Sequence, residues 1–409
     1  MSGGERRFLV AAFGDAGHAF PAIALARALR AHGHRVVVET WEHWRGAVES
    51  QGIEFTAAQE YKAFPPPSPG AAGGPSAADA ALALLPLLDE LRPELVVSDI
   101  LTLAPSLAAE RAGIPRATLI PHVYPVHEPG LPFFSFGAMP PRTALGRGLW
   151  RAALPVLLGG LRRGRRELNA AREVVGLAPV ERFHGGISDR LALVATFPQL
   201  EYPRRWPAGV EVTGPMTFEL PYEDVGLPDG DAPLVVVAPS TAQDPGCALV
   251  RSALEALADE PVRVLATTNR HRPREPLPAP ANARVVDWVG YSQAMPAADL
   301  VICHGGHGTV ARALAAGAPV LSCPAVGDMA ENGIRVAWAG AGLMLPWRLT
   351  SPGPVRAAAR RILGDRRFAE RAEAIAGWSR GNDGARRGAE LVERLAGAQD
   401  EPRTGRGSA

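Results

Sequence analysis

One histidine and one carboxylate that could share a proton lie at the ends of two short apolar runs in the N-terminal half. His18 follows the run Phe8–Phe13 through a glycine-containing turn, and Asp99 ends the run Glu94–Asp99. If both runs are neighbouring parallel strands, their carboxyl ends share one edge of a sheet and the two side chains can meet. A histidine oriented by a carboxylate is a general base suited to neutral pH. The pair predicts proton abstraction from a nucleophile, with Asp15 as a rival base or a helper; the competing interpretation is that each residue caps a helix.

A glycine-rich turn in the C-terminal half has the composition of an anion-binding site. The apolar run Leu300–Cys303 leads into His304–Thr309, which reads His-Gly-Gly-His-Gly-Thr, and a helical pattern follows at once. Glycines let a ligand approach the backbone, and the first N–H groups of a helix have no intrahelical acceptors. With the helix dipole they favour a diphosphate, to which Thr309 and His304 can add side-chain donors. The turn lacks the Gly-Lys-Ser/Thr ending of a Walker A loop, and it could also be an ordinary tight turn of an α/β fold.

The elements that must position these residues alternate between short apolar strands and amphipathic helices, which predicts an α/β protein with parallel sheets. The first unit has a strand at Phe8–Phe13, a loop at Gly14–Pro21, a helix at Ala22–Ala31 and a strand at Val36–Glu39. The same order of elements restarts with a strand at Leu234. This repetition predicts two Rossmann-like, doubly wound domains that face each other across a cleft, not one sheet with an insertion.

The proline-rich stretch near Gly214–Pro233 marks the predicted domain boundary. We predict an N-terminal acceptor-binding domain at residues 1–214, a linker at 215–232, a C-terminal nucleotide-binding domain at 233–384, a helix at 385–399 that packs back on the first domain, and a disordered tail at 400–409. The segments Lys62–Ala78 and His122–Arg142 are rich in proline together with glycine or aromatic residues, so they predict irregular loops.

Aromatic side chains gather in these two irregular segments. Phe133, Phe134 and Phe136 stand near prolines in a stretch too irregular for a strand, and Phe64 lies in the other segment. With His122 they could form a wall against a flat apolar molecule. The competing interpretation is that they pack the interior of the domain.

Composition excludes several classes of protein. The 409 residues carry 43 basic and 42 acidic side chains, so no net field attracts nucleic acid or an anionic membrane. Cys247, Cys303 and Cys323 show no metal-type spacing, and their odd number fits a reducing compartment. No apolar run is long enough for a membrane span, and the run after Arg7 is too short for a signal peptide. We therefore expect a cytoplasmic monomer or homodimer without a metal site.

The C-terminal motifs resemble the donor signature of family 1 glycosyltransferases, which have the GT-B fold. The resemblance rests on His304–Thr309, Ala315–Val320 and Pro324–Asn332, and it extends more weakly to the N-terminal half. It points to the bacterial macrolide and aromatic-polyketide transferases, and it implies the two-domain GT-B architecture. His18 stands where the family often has its catalytic base, and Asp99 stands where the family has the partner of that base.

The resemblance also implies positions for a nucleotide sugar. Trp288 matches the tryptophan that faces the nucleobase, Asp328 matches the acid that binds sugar hydroxyls, and the hydroxyls of Ser240 and Thr241 match a phosphate-contacting loop. The complete donor set implied in this way is Ser240, Thr241, Trp288, Tyr291, His304, Gly305, Gly306, Gly308, Thr309, Asp328, Met329 and Asn332.

Three positions depart from the family pattern. Met329 and Tyr291 each stand where the family usually has glutamine, and Arg312 stands where a glutamate often holds both ribose hydroxyls. Without that carboxylate a ribose 2′-OH loses a partner, and Met329 is less polar than glutamine. We therefore hypothesise a dTDP-deoxysugar donor, with UDP-sugars as the alternative.

The activity implied by the resemblance is an inverting, metal-independent glycosyl transfer. The nucleotide sugar would be a co-substrate, no further cofactor is implied, and the acceptor would be an apolar small molecule such as a polyketide or phenolic. Two alternatives stay open: a non-catalytic GT-B-like partner of another transferase, and a sugar-nucleotide epimerase. An NAD-dependent oxidoreductase is weaker, because no GxGxxG motif follows the first strand.

Overall fold

Two parallel β-sheets flanked by helices organise the chain. The computed structural model describes residues 4–59, 76–240, 244, 246–273, 275–325 and 327–398. Phe64, Thr241 and the predicted tail at 400–409 lie outside the described residues. Two doubly wound parallel sheets confirm the predicted α/β, two-Rossmann-domain class of fold.

The N-terminal sheet has, within the described residues, seven parallel strands in the order β3-β2-β1-β4-β5-β6-β7. The strands are β1 (Arg7–Ala11), β2 (Arg35–Thr40), β3 (Glu54–Ala57), β4 (Leu95–Asp99), β5 (Arg116–Ile120), β6 (Ala192–Val194) and β7 (Val210–Val212). The helices of this half are α1 (Ala16–Ala31), α2 (Arg45–Glu49), α3 (Ala77–Leu91), α4 (Leu103–Arg111), α5 (Ala144–Ala152) and α6 (Leu154–Val174). Because strand order reverses between β1 and β4, a crevice opens at their carboxyl ends.

The C-terminal sheet repeats this plan, with six parallel strands among the described residues in the order β10-β9-β8-β11-β12-β13. The strands are β8 (Leu234–Ala238), β9 (Arg263–Thr267), β10 (Ala283–Val286), β11 (Leu300–Cys303), β12 (Val320–Ser322) and β13 (Gly342–Met344). The helices are α7 (Ala248–Leu257), α8 (Tyr291–Ala294), α9 (His307–Ala315), α10 (Asp328–Ala339), α11 (Pro352–Gly364), α12 (Arg366–Arg380) and α13 (Gly384–Gly397). Here the switch point lies between β8 and β11.

The central strands are buried on both faces. Every residue of β4, β8 and β11 is buried, because helices cover both sides of each sheet. This explains why these strands are continuous apolar runs in the sequence and do not alternate with polar residues.

The first helix begins earlier than the sequence predicted. Asp15 is its N-cap and Ala16 its first residue, so the predicted loop Gly14–Pro21 was wrong from Ala16 onward. Pro21 removes one intrahelical hydrogen bond, but the helix continues because Ala19 and Ile23 are buried beneath it. His18 consequently lies in the first turn of α1.

The predicted irregular segment Lys62–Ala78 lies outside the described residues up to position 75, and its last two residues are helical, against the prediction. Ser76 caps α3: its hydroxyl accepts the N–H of Asp79, and the Asp79 carboxylate accepts the N–H of Ser76. This reciprocal capping box starts the helix at Ala77. The other segment, His122–Arg142, has neither helix nor strand, as predicted.

The last helix of the described residues packs on the N-terminal half. Ala389 and Val392 of α13 share a core with Ile23 and Leu25 of α1. Between Val212 and Leu234 the chain has neither helix nor strand. That stretch contains the predicted linker, and the division into domains at residues 214 and 232 stays a prediction.

Candidate active site

The switch point of the N-terminal sheet brings His18 and Asp99 into contact. His18 Nδ1 lies 2.8 Å from Asp99 Oδ2, and Asp99 is only 2% exposed. The second carboxylate oxygen of Asp99 accepts the backbone N–H of Leu101 at 2.9 Å, which fixes its orientation. Because a carboxylate only accepts, Nδ1 of His18 carries the proton, and Nε2 is left as a bare base. His18 lines the cleft between the two sheets.

The surroundings of His18 favour its protonated form. Burial lowers the pKa of His18, but the charge and hydrogen bond of Asp99, followed by the charges of Asp328 and Asp15, together raise this pKa above its usual value. A base with a raised pKa holds the abstracted proton more firmly, although it is neutral only at higher pH. Asp15, the N-cap of α1, thus helps to raise the pKa of His18 through its negative charge.

We expect Asp99 to control the pKa of His18. In the Asp99→Asn variant burial keeps lowering this pKa while the main opposing charge is gone, so the pKa of His18 falls. NMR titration of the imidazole signals checks this, and Asp15→Asn is the matched control with a smaller decrease. An unchanged or higher pKa in Asp99→Asn would contradict the assignment. Since His18 acts as a base in its unprotonated form, lowering its pKa in Asp99→Asn should also move the rising limb of the pH–rate profile to lower pH.

The switch point of the C-terminal sheet places the glycine-rich turn opposite His18. β11 ends at Cys303, Gly306 is the N-cap of α9, and His307 and Gly308 occupy its first turn. The N–H of Thr309 bonds the carbonyl of Gly306 at 3.1 Å. In the described part of the chain, no hydrogen bond involves the N–H groups of His307 and Gly308. Two open amides at the positive end of a helix form a site for an anion.

The shape of this turn depends on Gly305. Its φ is +84°, and a Cβ there would lie 2.6 Å from Ser322 Oγ and 2.8 Å from the carbonyl oxygen of Met329. Asn332 Nδ2 donates to the carbonyl of Gly305 at 3.1 Å. Asn332 is fully buried, so it holds the turn from behind and does not line the cleft. Gly305 is likewise absent from the cleft wall.

The imidazole of His304 lies over the turn and faces the cleft. Burial lowers its pKa, against smaller opposing effects of the Ala238 carbonyl and of Asp328 and Asp244, so the ring is neutral. Nδ1 is 3.5 Å from the carbonyl oxygen of Ala238, at the limit of a hydrogen bond. This weak contact leaves either ring nitrogen able to carry the proton, and the ring can therefore donate to an anion.

Two aromatic side chains line the part of the cleft formed by the C-terminal sheet. Trp288 and Tyr291 line it, and the guanidinium carbon of Arg270 lies 4.7 Å from the centre of the Trp288 ring. Arg312 also lines this end, where it donates to the carbonyls of Gly308 and Phe218. The position expected to hold a carboxylate therefore holds a cation that joins α9 to the stretch after β7.

Most of the predicted site residues line one cleft. These are Asp15, His18, His122, Ser240, Trp288, Tyr291, His304, Gly306, Gly308, Thr309, Asp328 and Met329. Asp99 lies directly behind His18. The structure describes neither Phe64 nor Thr241.

None of the three described phenylalanines of the predicted aromatic wall lines the cleft. The ring of Phe134 packs against His122, with centroids 5.4 Å apart. Phe133 is buried against Trp150 at 5.2 Å, and Phe136 is 66% exposed. The prediction that these three rings face the cleft was therefore wrong: Phe134 packs behind a cleft residue, and Phe133 and Phe136 belong to the packing and outer surface of the loop.

Sequence reasoning did not place Glu219 or Asn269 in the site, yet both line the cleft. Glu219, in the predicted linker, lines the cleft and accepts the backbone N–H of Tyr291 at 2.5 Å. Asn269 follows β9 with φ +50° and donates to the carbonyl of Pro239 at 2.7 Å. Asn269 could have been found, since asparagine after a parallel strand tolerates a left-handed conformation at the ligand edge. Nothing in the sequence marks Glu219.

Comparisons with known proteins identify the family. The family model of the erythromycin biosynthesis protein CIII-like C-terminal domain matches residues 251–390, and that of the glycosyltransferase family 28 N-terminal domain matches residues 8–118. The 4'-demethylrebeccamycin synthase of Lentzea aerocolonigenes is 30% identical over 395 residues, covering 88% of this chain and 93% of its own. The chain is a natural-product-type glycosyltransferase. The L-demethylnoviosyl transferase of Streptomyces niveus is a further relative, 29% identical over 381 residues, with 88% of this chain and 90% of its own covered.

Solved structures show that this glycosyltransferase has the GT-B fold. The calicheamicin glycosyltransferase CalG4 is 22% identical, with a TM-score of 0.73 over 97% of this chain and 100% of that one. Glycosyltransferase VinC, crystallised in complex with DTDP, is 20% identical, with a TM-score of 0.69 over 96% and 100%. The GT-B fold and the likeness to bacterial natural-product glycosyltransferases, both expected from the sequence, are thereby confirmed. None of the described helices of this glycosyltransferase is both long and apolar enough to span a membrane.

Proposed function

We propose that this glycosyltransferase transfers a deoxysugar from a dTDP donor to an apolar small-molecule acceptor, with inversion and without a metal ion or cofactor. The observation that carries the proposal is that the bare Nε2 of His18 and the open amides of His307 and Gly308 face the same cleft. A base on one wall and an anion site on the other are the two groups that this reaction needs.

The proposed reaction uses the base on one wall of the cleft and the anion site on the other. Nε2 of His18 takes the proton of the acceptor O–H or N–H as the acceptor atom attacks the anomeric carbon. The bond from that carbon to the diphosphate oxygen breaks on the opposite face, so the configuration inverts. The leaving diphosphate carries both electrons of the broken bond, and the amides and dipole of α9 stabilise its charge. The Asp99 carboxylate stabilises the imidazolium that forms.

The preference for a dTDP donor rests on Arg312. α9 rises about 5.4 Å per turn, so a residue one turn beyond Gly308 lies near the ribose of a nucleotide whose diphosphate is held at the first turn. Arg312 donates to two backbone carbonyls there and offers no carboxylate to a 2′-OH. VinC was crystallised with DTDP, and the Streptomyces glycosyltransferase SsfS6 with thymidine diphosphate, which supports the same class of donor for this chain.

Calorimetry with UDP, dUDP and dTDP tests this preference. We expect dUDP to bind more tightly than UDP, because the pair differs only in the 2′-OH, which would be buried without a carboxylate partner. Arg312→Glu should raise the affinity for UDP relative to dUDP, and Arg312→Gln, which adds no carboxylate, is the matched control. UDP-glucose outcompeting every dTDP-sugar would contradict the proposed donor.

The two alternatives from the sequence are not favoured. A non-catalytic partner would not need an intact general base with its carboxylate. In this chain His18 and Asp99 are both present and hydrogen-bonded. An epimerase would need no acceptor, whereas the named relatives include transferases. Release of nucleoside diphosphate only when an acceptor is present, by the purified protein alone, would support the proposed function over both.

A further inference from the structure

His122 is a second histidine at the acceptor end of the cleft. It follows β5, is 8% exposed, and lines the cleft beside His18. The two rings are nearly perpendicular, at 81°, with centroids 6.2 Å apart. The ring of Phe134 packs against His122 at an interplanar angle of 31°. The imidazoles of His18 and His122 therefore border the same part of the cleft.

The backbone fixes the tautomer of His122. Its Nδ1 lies 2.8 Å from the carbonyl oxygen of Val123. A carbonyl oxygen only accepts, so Nδ1 carries the proton, and in the neutral ring Nε2 is a bare acceptor. Nε2 is on the edge of the ring away from this contact, and no hydrogen bond to it occurs in the described part of the chain.

The charges around His122 decide whether the ring is neutral. Burial and the charge of His18 disfavour a second positive charge, while Asp328 and Asp99 favour it. His307 is also close, but burial lowers its pKa to about 4 and keeps it neutral near pH 7. Burial is the largest effect, so the pKa of His122 lies below its usual value and the neutral form prevails.

We infer that His122 selects acceptors with a second O–H or N–H beside the nucleophilic group. When both rings are neutral, His18 and His122 each present a bare Nε2, and neither can donate through it, so a ligand must supply both hydrogen bonds. A ligand with one donor leaves a desolvated Nε2 without a partner, which disfavours its binding. This inference rests on the proposed function, because it names the acceptor class of that site.

NMR of the full-length protein with 15N-labelled histidine tests the tautomer without any ligand. Long-range proton–nitrogen spectra distinguish a bare ring nitrogen from a protonated one, and the His122→Phe variant identifies the signals. We expect His122 at pH 7.5 to have a protonated Nδ1 and a bare Nε2. An imidazolium, or a proton on Nε2 alone, would overturn the inference.

A matched set of three flat compounds tests the selectivity. These are a naphthalene with two neighbouring hydroxyl groups, its monomethyl ether, and the naphthalene with one hydroxyl group. With dTDP present, we expect the dihydroxy compound to bind the wild type about tenfold more tightly than the other two, the value of one hydrogen bond. His122→Phe should abolish this difference, and His122→Gln, which keeps an acceptor oxygen, should retain part of it.

Two outcomes of the binding experiment would overturn the inference. One is failure of the dihydroxy compound to bind the wild type more tightly than the other two, and the other is an undiminished preference in His122→Phe. Failure of the proposed function has a different signature, since it would show as absence of dTDP binding while the tautomer of His122 is unchanged.

Discussion

His18→Ala should lower kcat by about 10²–10⁴-fold, the range that a positioned general base contributes. The affinity for dTDP should stay nearly unchanged, because the proposed diphosphate contacts come from α9 on the opposite wall of the cleft. Steady-state release of nucleoside diphosphate in the presence of an acceptor gives kcat, and calorimetry gives the affinity for dTDP.

A histidine outside the cleft provides the control for this variant. His32, at the end of α1, contacts Glu393 through Nδ1 at 2.6 Å and does not line the cleft, so His32→Ala should keep full activity. Full turnover by His18→Ala would remove His18 from the mechanism. An equal loss of turnover and dTDP affinity would show that His18 acts on donor binding and not on the acceptor proton.

Gly305→Ala should abolish detectable dTDP binding and lower the melting temperature. The left-handed backbone at φ +84° disfavours any side chain, at a cost of about 1–2 kcal/mol. The Cβ would also overlap the carbonyl oxygen of Met329, 2.8 Å away, and a backbone atom in a packed turn cannot move aside freely. The turn must therefore shift, and with it the open amides of His307 and Gly308.

Gly353→Ala is the matched control for this change. Gly353 lies in the first turn of α11, and no atom outside its own helical turn lies within 4 Å of the position that a Cβ would take. Alanine should therefore change stability little, because its higher helix propensity is opposed by the proline that follows at position 354. Calorimetric binding of dTDP and thermal unfolding are measured on both variants. Wild-type affinity for dTDP in Gly305→Ala would contradict the account of the turn.

The sequence predicted the positions that depend on sheet topology. Apolar runs that end in Asp99 and Cys303 could be placed as parallel strands, and parallel strands bring their carboxyl ends to one edge. The contact of His18 with Asp99 follows from that rule only if their strands are neighbours, and the family resemblance supplied the same pairing; the rule also places the glycine-rich turn at the edge of the second sheet. The predicted start of α1 was wrong, because a proline such as Pro21 usually marks a helix boundary. In the structure α1 continues across Pro21, since the residues around it are buried.

Features that depend on tertiary contacts could not be predicted. Glu219 reaches the cleft because the stretch after β7 runs past α8, which no local pattern records. Asn332 was predicted near the diphosphate, yet its side chain holds Gly305 from behind, because direction depends on how α10 packs. The tautomer of His122 depends on one carbonyl contact, which only the folded chain supplies.

A crystal structure with dTDP bound is the most direct test of the central claim. We predict that the diphosphate lies at the start of α9, with its oxygens within hydrogen-bonding distance of the N–H groups of His307 and Gly308. It should also lie across the cleft from Nε2 of His18. A structure in which protein atoms satisfy those two amides while the nucleotide occupies another surface would contradict the account.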